Sequence, residues 1–132
     1  MTLTDDEQAQ RRAAIPGVFR QTPFIASLGI VIERYEPDDV QVRLPFRPDL
    51  TNDGTHYHGG VIASVIDTAG ALAAWSNHDF DKGVRASTIA MSVQYVGAAR
   101  RSDLVCDART VRRGRELTFT EITVRDADGA VV

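Results

Sequence analysis

Residues 52–70 read NDGTHYHGGVIASVIDTAG, and the change from turn chemistry to an apolar run inside this stretch decides the fold. Asn52, Asp53 and Gly54 belong to a loop reaching back to Arg47, since Pro, Asn, Asp and Gly each favour turn backbone. From Val61 to Ser76 the chain reads VIASVIDTAGALAAWS, sixteen residues without alternation, which is too long for a strand and is therefore helical. The spacing predicts a central helix over 59–77, apolar on nearly every side, as expected of a helix enclosed by other structure. One residue does not fit. Burying an ionised carboxylate without partners is costly, so Asp67 in the middle of this run needs a reason. Gly60, Ser64, Asp67, Ala71 and Trp75 follow one another at spacings of three and four, so small residues share one helix face with that carboxylate.

Working outward, TDDEQAQRRAA sets Thr4 and Glu7 at capping-box spacing and predicts a short helix over about residues 5–14, stopped by Pro16 and Gly17. TPFIASLG adds a helical turn or two ending at Gly29, so residues 1–28 form an N-terminal helical segment. IVIERYE and VQVRLPF are strand-like and PDD between them is turn chemistry, which predicts a hairpin. After the central helix, RASTIAMSVQYV, LVCDARTVRR and ELTFTEITVRD alternate, and a DADG turn leads into AVV. Two strands, a long helix and three or four strands with short connections make an α+β fold. A single domain over 1–132 is expected, with an antiparallel sheet of five to six strands wrapped around the helix.

Composition narrows the function classes. The chain has 132 residues, 43% hydrophobic and 25% charged, which is ordinary for one globular domain. No charged, then apolar, then small-residue leader pattern opens it, and its longest apolar stretch is interrupted by Ser64, Asp67 and Thr68, so a cytoplasmic, non-membrane protein is the expectation. Cys106, the single cysteine, reads as a strand residue. Fourteen of the fifteen basic residues are arginine, and six of them lie between Arg100 and Arg115. The net charge is nonetheless −3 and no aromatics interleave that patch, so nucleic acid is not the expected partner.

With the elements in place, the chain resembles the hotdog-fold acyl-CoA thioesterases, specifically the phenylacetic-acid-degradation (PaaI-like) branch. The resemblance rests on Asn52, Gly54, the His58-Gly59-Gly60 triplet opening the helix, and Asp67 followed by Thr68-Ala69. PFIASLGI, STIAMSVQYVGAA and VRRGRELTFTEITV match comparable segments, so it extends over most of the chain. It implies a helix inside a curved sheet, a homodimer sharing that sheet and often paired again into a homotetramer, and hydrolysis of an acyl-CoA thioester.

Within that resemblance each residue has an implied role. The Gly59 N–H, at the positive end of the helix, would polarise the thioester carbonyl, and Gly60 keeps the approach clear. Asp67 would be general base or nucleophile, two routes the sequence leaves open. Asn52 would position the thioester or water, with a loop turn as its plain alternative. Thr88, or its neighbour Ser87, would hold water beside the carboxylate. His58 would fix the loop entering the helix. His56 and His58 form an H-x-H pair, yet no third ligand converges on it, so no metal is expected. Arg112, Arg113, Gly114 and Arg115 would border the phosphates of coenzyme A, which arrives as part of the substrate, so no cofactor is required.

Spacing adds one constraint of its own. Gly59 and Asp67 are eight residues apart, which is about 12 Å along one helix. They cannot meet on one thioester. Each active site should combine Gly59 of one chain with Asp67 of another. A non-catalytic acyl-CoA binding or sensing module is the alternative function, although sensors of this kind usually carry a DNA-binding segment that this N-terminus does not resemble. An enoyl-thioester hydratase ranks last, since the residue five after Asp67 is Leu72 rather than a histidine.

Overall fold

The computed structural model describes residues 2–132. Helix α1 (Asp5–Gln21) and helix α2 (Pro23–Leu28) precede the hairpin of β1 (Val31–Glu36) and β2 (Asp39–Leu44). Helix α3 (Gly59–Ser76) follows, then β3 (Leu104–Arg113) and β4 (Thr118–Arg125), and the strands form one antiparallel sheet in the order β1-β2-β3-β4. Alternation sets the core: Val40, Val42 and Leu44 of β2 and Leu104, Cys106 and Ala108 of β3 point at α3 and are buried. The helix meets them with Val65, Ala69, Leu72 and Ala73. Gly70 lets β4 close onto α3, since a Cβ there would lie 2.9 Å from Thr120 Oγ1. Cys106 is a core residue whose thiol is pushed up to about 12 by burial, with Asp107 adding to the shift, so it stays protonated and unreactive at neutral pH.

Three expectations are corrected. The sheet has four strands, not five to six. Among the described residues the alternating segment RASTIAMSVQYV forms no ladder, its one backbone bond to another element being Val96 N to Val132 O at 3.1 Å, so it is not a strand here, and Ile89 on it is 73% exposed. The closing AVV makes one bridge, Val131 to Arg125, while Val132 accepts from the N–H groups of Val96 and Gly97. A strand exists only where a second backbone lies alongside, and β4 and residues 85–91 instead line a common cleft of about 730 Å³.

Second, α1 does not stop at Pro16. Its capping box is formed, with Glu7 N donating to Thr4 Oγ1 at 3.2 Å and Thr4 N to Glu7 Oε2 at 2.8 Å. The helix then runs through the proline, whose missing N–H forfeits one bond, because Gln8, Arg12, Ile15, Pro16 and Phe19 form a single inward stripe. Gln8 and Arg12 bind the loop after α3: Arg12 Nε donates to His78 O at 2.9 Å, and Gln8 Oε1 accepts from Phe80 N at 2.9 Å. Third, α3 is not enclosed all round. Its 18 residues are long and apolar enough to cross a bilayer, yet here one face packs on the sheet while Gly60 and Asp67 on the other are exposed.

The far end of α3 is held by a polar clamp. Asp38, in the hairpin turn at φ +63°, accepts from Arg113 Nη2 at 2.7 Å and from Asn77 Nδ2 at 2.8 Å, and Arg113 Nη2 also donates to Ala74 O at 3.0 Å. Partial burial raises the Asp38 carboxyl, but the bonds from Arg113, Asn77 and Thr110 outweigh it and leave the group below its ordinary value. Asp38→Ala should therefore cost about 1–2 kcal/mol, a charge-assisted bond discounted for partial exposure. Because the carboxyl titrates lower folded than unfolded, this contribution is full at neutral pH and fades as pH falls below about 4. Urea unfolding of wild type and variant between pH 7 and pH 3 checks both points, with the two curves converging at the acid end.

Candidate active site

The loop feeding α3 is built from short-range bonds. Asp53 Oδ1 accepts from Thr55 N at 2.9 Å and His56 N at 2.7 Å, and Oδ2 bonds His56 Nδ1 at 2.8 Å. The backbone bonds from His56 and Thr55 and the imidazole together hold the Asp53 carboxyl far below the usual carboxylate range. Asn52 sits in this turn, its N–H donating to His56 O at 2.9 Å and its side chain exposed. Two further bonds moor the loop, His58 N to Leu50 O and Tyr57 N to Ala99 O, each 3.0 Å. The Tyr57 hydroxyl donates to Ser102 O at 2.7 Å, and burial, with Asp103 adding, pushes it up to about 12.

At the start of α3 the backbone donors can be counted. His58 is the N-cap and its Nδ1 accepts from Gly60 N at 2.8 Å. Val61 and Ile62 donate to His58 O at 3.0 and 3.4 Å. Among the described residues, Gly59 N–H has no partner. The first turn therefore presents one free donor at the positive end of an 18-residue helix. His58 and His56 are both engaged with neighbours, and no group of three metal-binding side chains occurs among the described residues.

Asp67 lies eight residues on, exposed beside the cleft. Thr88 Oγ1 donates to its Oδ1 at 2.6 Å. Of the two hydroxyls the sequence leaves open, Thr88 is therefore the one on the carboxylate, while Ser87 lines the cleft and its side chain bonds no other described residue. The chain brings together Asn52, His58, Gly59 and Gly60 at one end of the helix and Asp67 and Thr88 two turns away. It does not bring Gly59 to Asp67. Ile66 and Trp75 line the cleft, whereas Leu50, Tyr57, Ile62 and Val65 are core residues.

The arginines divide. Arg113 is turned inward to the Asp38 clamp, its Nε buried without a partner, while Arg112 and Arg115 are exposed and make no ion pair among the described residues. Gly114 N donates to Leu117 O at 2.7 Å and closes that turn. Arg100 and Arg101 stand beside the Thr55–His56 loop, through the His56–Arg100 bridge and the bond from Arg101 N to Thr55 O at 3.0 Å. Sequence reading also missed Tyr95, whose hydroxyl donates to Gly59 O at 2.7 Å. Thr88 and Tyr95 are seven apart, an odd spacing that a regular strand would send to opposite faces, so alternation gave no sign that both reach α3.

A long helix laid across an antiparallel sheet is the hotdog arrangement, here with a free N-terminal donor and an exposed carboxylate on the helix's open face. The chain belongs to the Thioesterase superfamily, whose family model matches residues 54–132. A Halobacterium salinarum protein with a provisional esterase name is 36% identical over 103 residues, 76% of this chain and 68% of that protein. The medium/long-chain acyl-CoA thioesterase YigI of Escherichia coli is 24% identical over 119 residues, covering 80% of this chain and 77% of YigI. Among solved structures, a hypothetical thioesterase with coenzyme A from Streptococcus pneumoniae shares the fold at a TM-score of 0.70 and 21% identity, over 78% of this chain and 77% of that one.

The His58 cap explains why Gly60 is glycine, since a Cβ there would lie 2.9 Å from His58 Nδ1. Gly60→Ala should destabilise the wild-type background by displacing the ring. In a His58→Ala background the same change should be neutral or stabilising by up to ~1 kcal/mol, because alanine is the better helix former. Thermal unfolding of the four proteins measures this coupling.

Proposed function

We propose that the protein hydrolyses an aryl- or medium-chain acyl-CoA to the free acid and coenzyme A, as a member of the PaaI-like branch. The observation that carries this is the unpartnered Gly59 N–H at the helix start, with its neighbours' donors all engaged. A thioester oxygen that gains negative charge on attack is stabilised by such a donor. Asp67, held by Thr88, serves as general base: it takes a proton from water as the water oxygen adds to the carbonyl carbon, and the C–S bond then breaks to release the thiolate. Direct attack by the carboxylate through an anhydride uses the same two groups. Asn52 positions the carbonyl or the water. Apolar side chains lining the cleft with Asp67, among them Ile66, Ile89 and Met91, support an apolar acyl group, as does the similarity to YigI, a medium/long-chain acyl-CoA thioesterase.

The assembly belongs to the same reading. Gly59 and Asp67 sit about 12 Å apart on one rigid helix, so each site draws Gly59 from one chain and Asp67 from another. A homodimer joined along residues 84–95, whose backbone makes no ladder among the described residues and whose Val84, Ile89 and Met91 are exposed, meets this need. Pairing two such dimers gives the tetramer. Arg112 and Arg115 face the CoA phosphates, with Arg113 shaping their turn from within.

Two substitutions test chemistry and assembly together. Asp67→Asn should lower kcat by at least ~10², and Gly59→Pro by ~10²–10³, with folding retained. Proline suits the first helical position, where it removes only the free N–H, and His58 at φ −64°, ψ 132° already has pre-proline backbone. Co-refolding equal amounts of the two inactive variants should restore roughly a quarter of wild-type activity, because half the dimers are mixed and each has one intact site. A thiol-release assay across acyl-CoA chain lengths and aryl forms reads all of this. An inactive co-refolded mixture, from variants that each fold and dimerise on their own, would sink the shared site.

A further inference from the structure

A pair of glycines is a poor mount for an oxyanion donor, because neither residue restricts its own backbone. The peptide between Gly59 and Gly60 is nevertheless gripped at both ends. Its N–H donates to His58 Nδ1 at 2.8 Å, and its carbonyl oxygen accepts from the Tyr95 hydroxyl at 2.7 Å. The Tyr95 ring also lies against Gly59, its edge atoms 3.6 Å from where a Cβ would stand. With that plane fixed, the direction of the free N–H depends only on φ and ψ of Gly59, which join it to the preceding peptide, whose own entry is moored by His58 N donating to Leu50 O at 3.0 Å. Tyr95 sits on the same ladder-free segment as Thr88, so one stretch of chain touches the carboxylate with one hydroxyl and the donor residue with another.

We propose that Tyr95 is a positioning residue for thioester hydrolysis, its hydroxyl locking the Gly59–Gly60 peptide so that the Gly59 N–H stays aimed at the developing oxyanion. The proposal rests on the reading of Gly59 N–H as the oxyanion donor. Tyr95 does not touch the reacting atoms. Its effect is geometric, and it acts after binding, where the donor must meet a charge that exists only in the transition state.

Tyr95→Phe keeps the ring and removes the hydroxyl. It should lower kcat about ten-fold, the scale of a small misalignment of one donor, while KM changes less than about two-fold. The pH dependence of kcat should keep its shape, since the base is untouched. In a Gly59→Pro background, where there is no donor left to aim, the same substitution should cause no further loss. An unchanged kcat in Tyr95→Phe, a change confined to KM, or an equal loss in both backgrounds overturns the proposal. The underlying reading has its own signal. Full activity of Gly59→Pro alone would remove the donor assignment itself, whereas a crippled Gly59→Pro beside a normal Tyr95→Phe would remove only the role of Tyr95.

Discussion

The rest of this molecule is organised by the rigidity of one helix. Between Gly59 and Asp67 α3 is hydrogen-bonded without interruption, so a free donor and a carboxylate are held about 12 Å apart with no hinge between them. No side-chain motion can close that gap. Under the proposed reading, a chemistry that needs both groups on one carbonyl would take them from two copies of the helix, and association would be a condition of the reaction rather than an addition to it. The same rigidity suits each half-site, since a donor and a base gain most when they need not reorganise during the reaction.

Everything that holds α3 serves this separation. The sheet grips its buried face through Val65, Ala69, Leu72 and Ala73, and Gly70 brings β4 close. The C-terminal end is fixed by Arg113, which bridges Ala74 O to the Asp38 turn of the first hairpin. The N-terminal end is fixed by the His58 cap and by a loop whose carboxylate, Asp53, is spent on its own backbone. Helix α1 covers the loop that leaves α3 through Gln8 and Arg12. Polar bonds therefore concentrate at the two ends of the helix and apolar packing in its middle. The open face is left to Gly60, Ser64 and Asp67.

Much of this was legible in residue order. Period-two alternation located β2, β3 and β4, and the unbroken apolar run located α3 to within a residue, because both patterns are consequences of burying one face. The capping box at Thr4 and Glu7 was equally local. What failed was non-local. Pro16 is a breaker by its own chemistry and is overridden by a stripe of contacts from Gln8 to Phe19. Asp67 in an apolar run suggested burial, and the helix instead leaves that face open. Arg113 was grouped with its neighbours as a phosphate ligand, and nothing local says that it turns inward to a turn seventy-five residues away. RASTIAMSVQYV has every mark of a strand, but a ladder requires a second backbone, and residue order cannot say which chain supplies it.

That ladder-free segment links assembly to alignment. A stretch with no ladder is among the less stable parts of a fold, since solvent competes for the backbone groups it offers. Here it is tied to α3 chiefly by two side-chain hydroxyls, Thr88 on Asp67 and Tyr95 on Gly59. If a second copy pairs along residues 84–95, the backbone bonds it supplies would immobilise the residues that carry those hydroxyls. Pairing would then do two things at once. It would bring the missing half-site within reach, and it would stiffen the contacts that orient the half-site already present. A lone chain lacks both, so activity under this reading should follow the order of the segment as closely as it follows the proximity of the two helices.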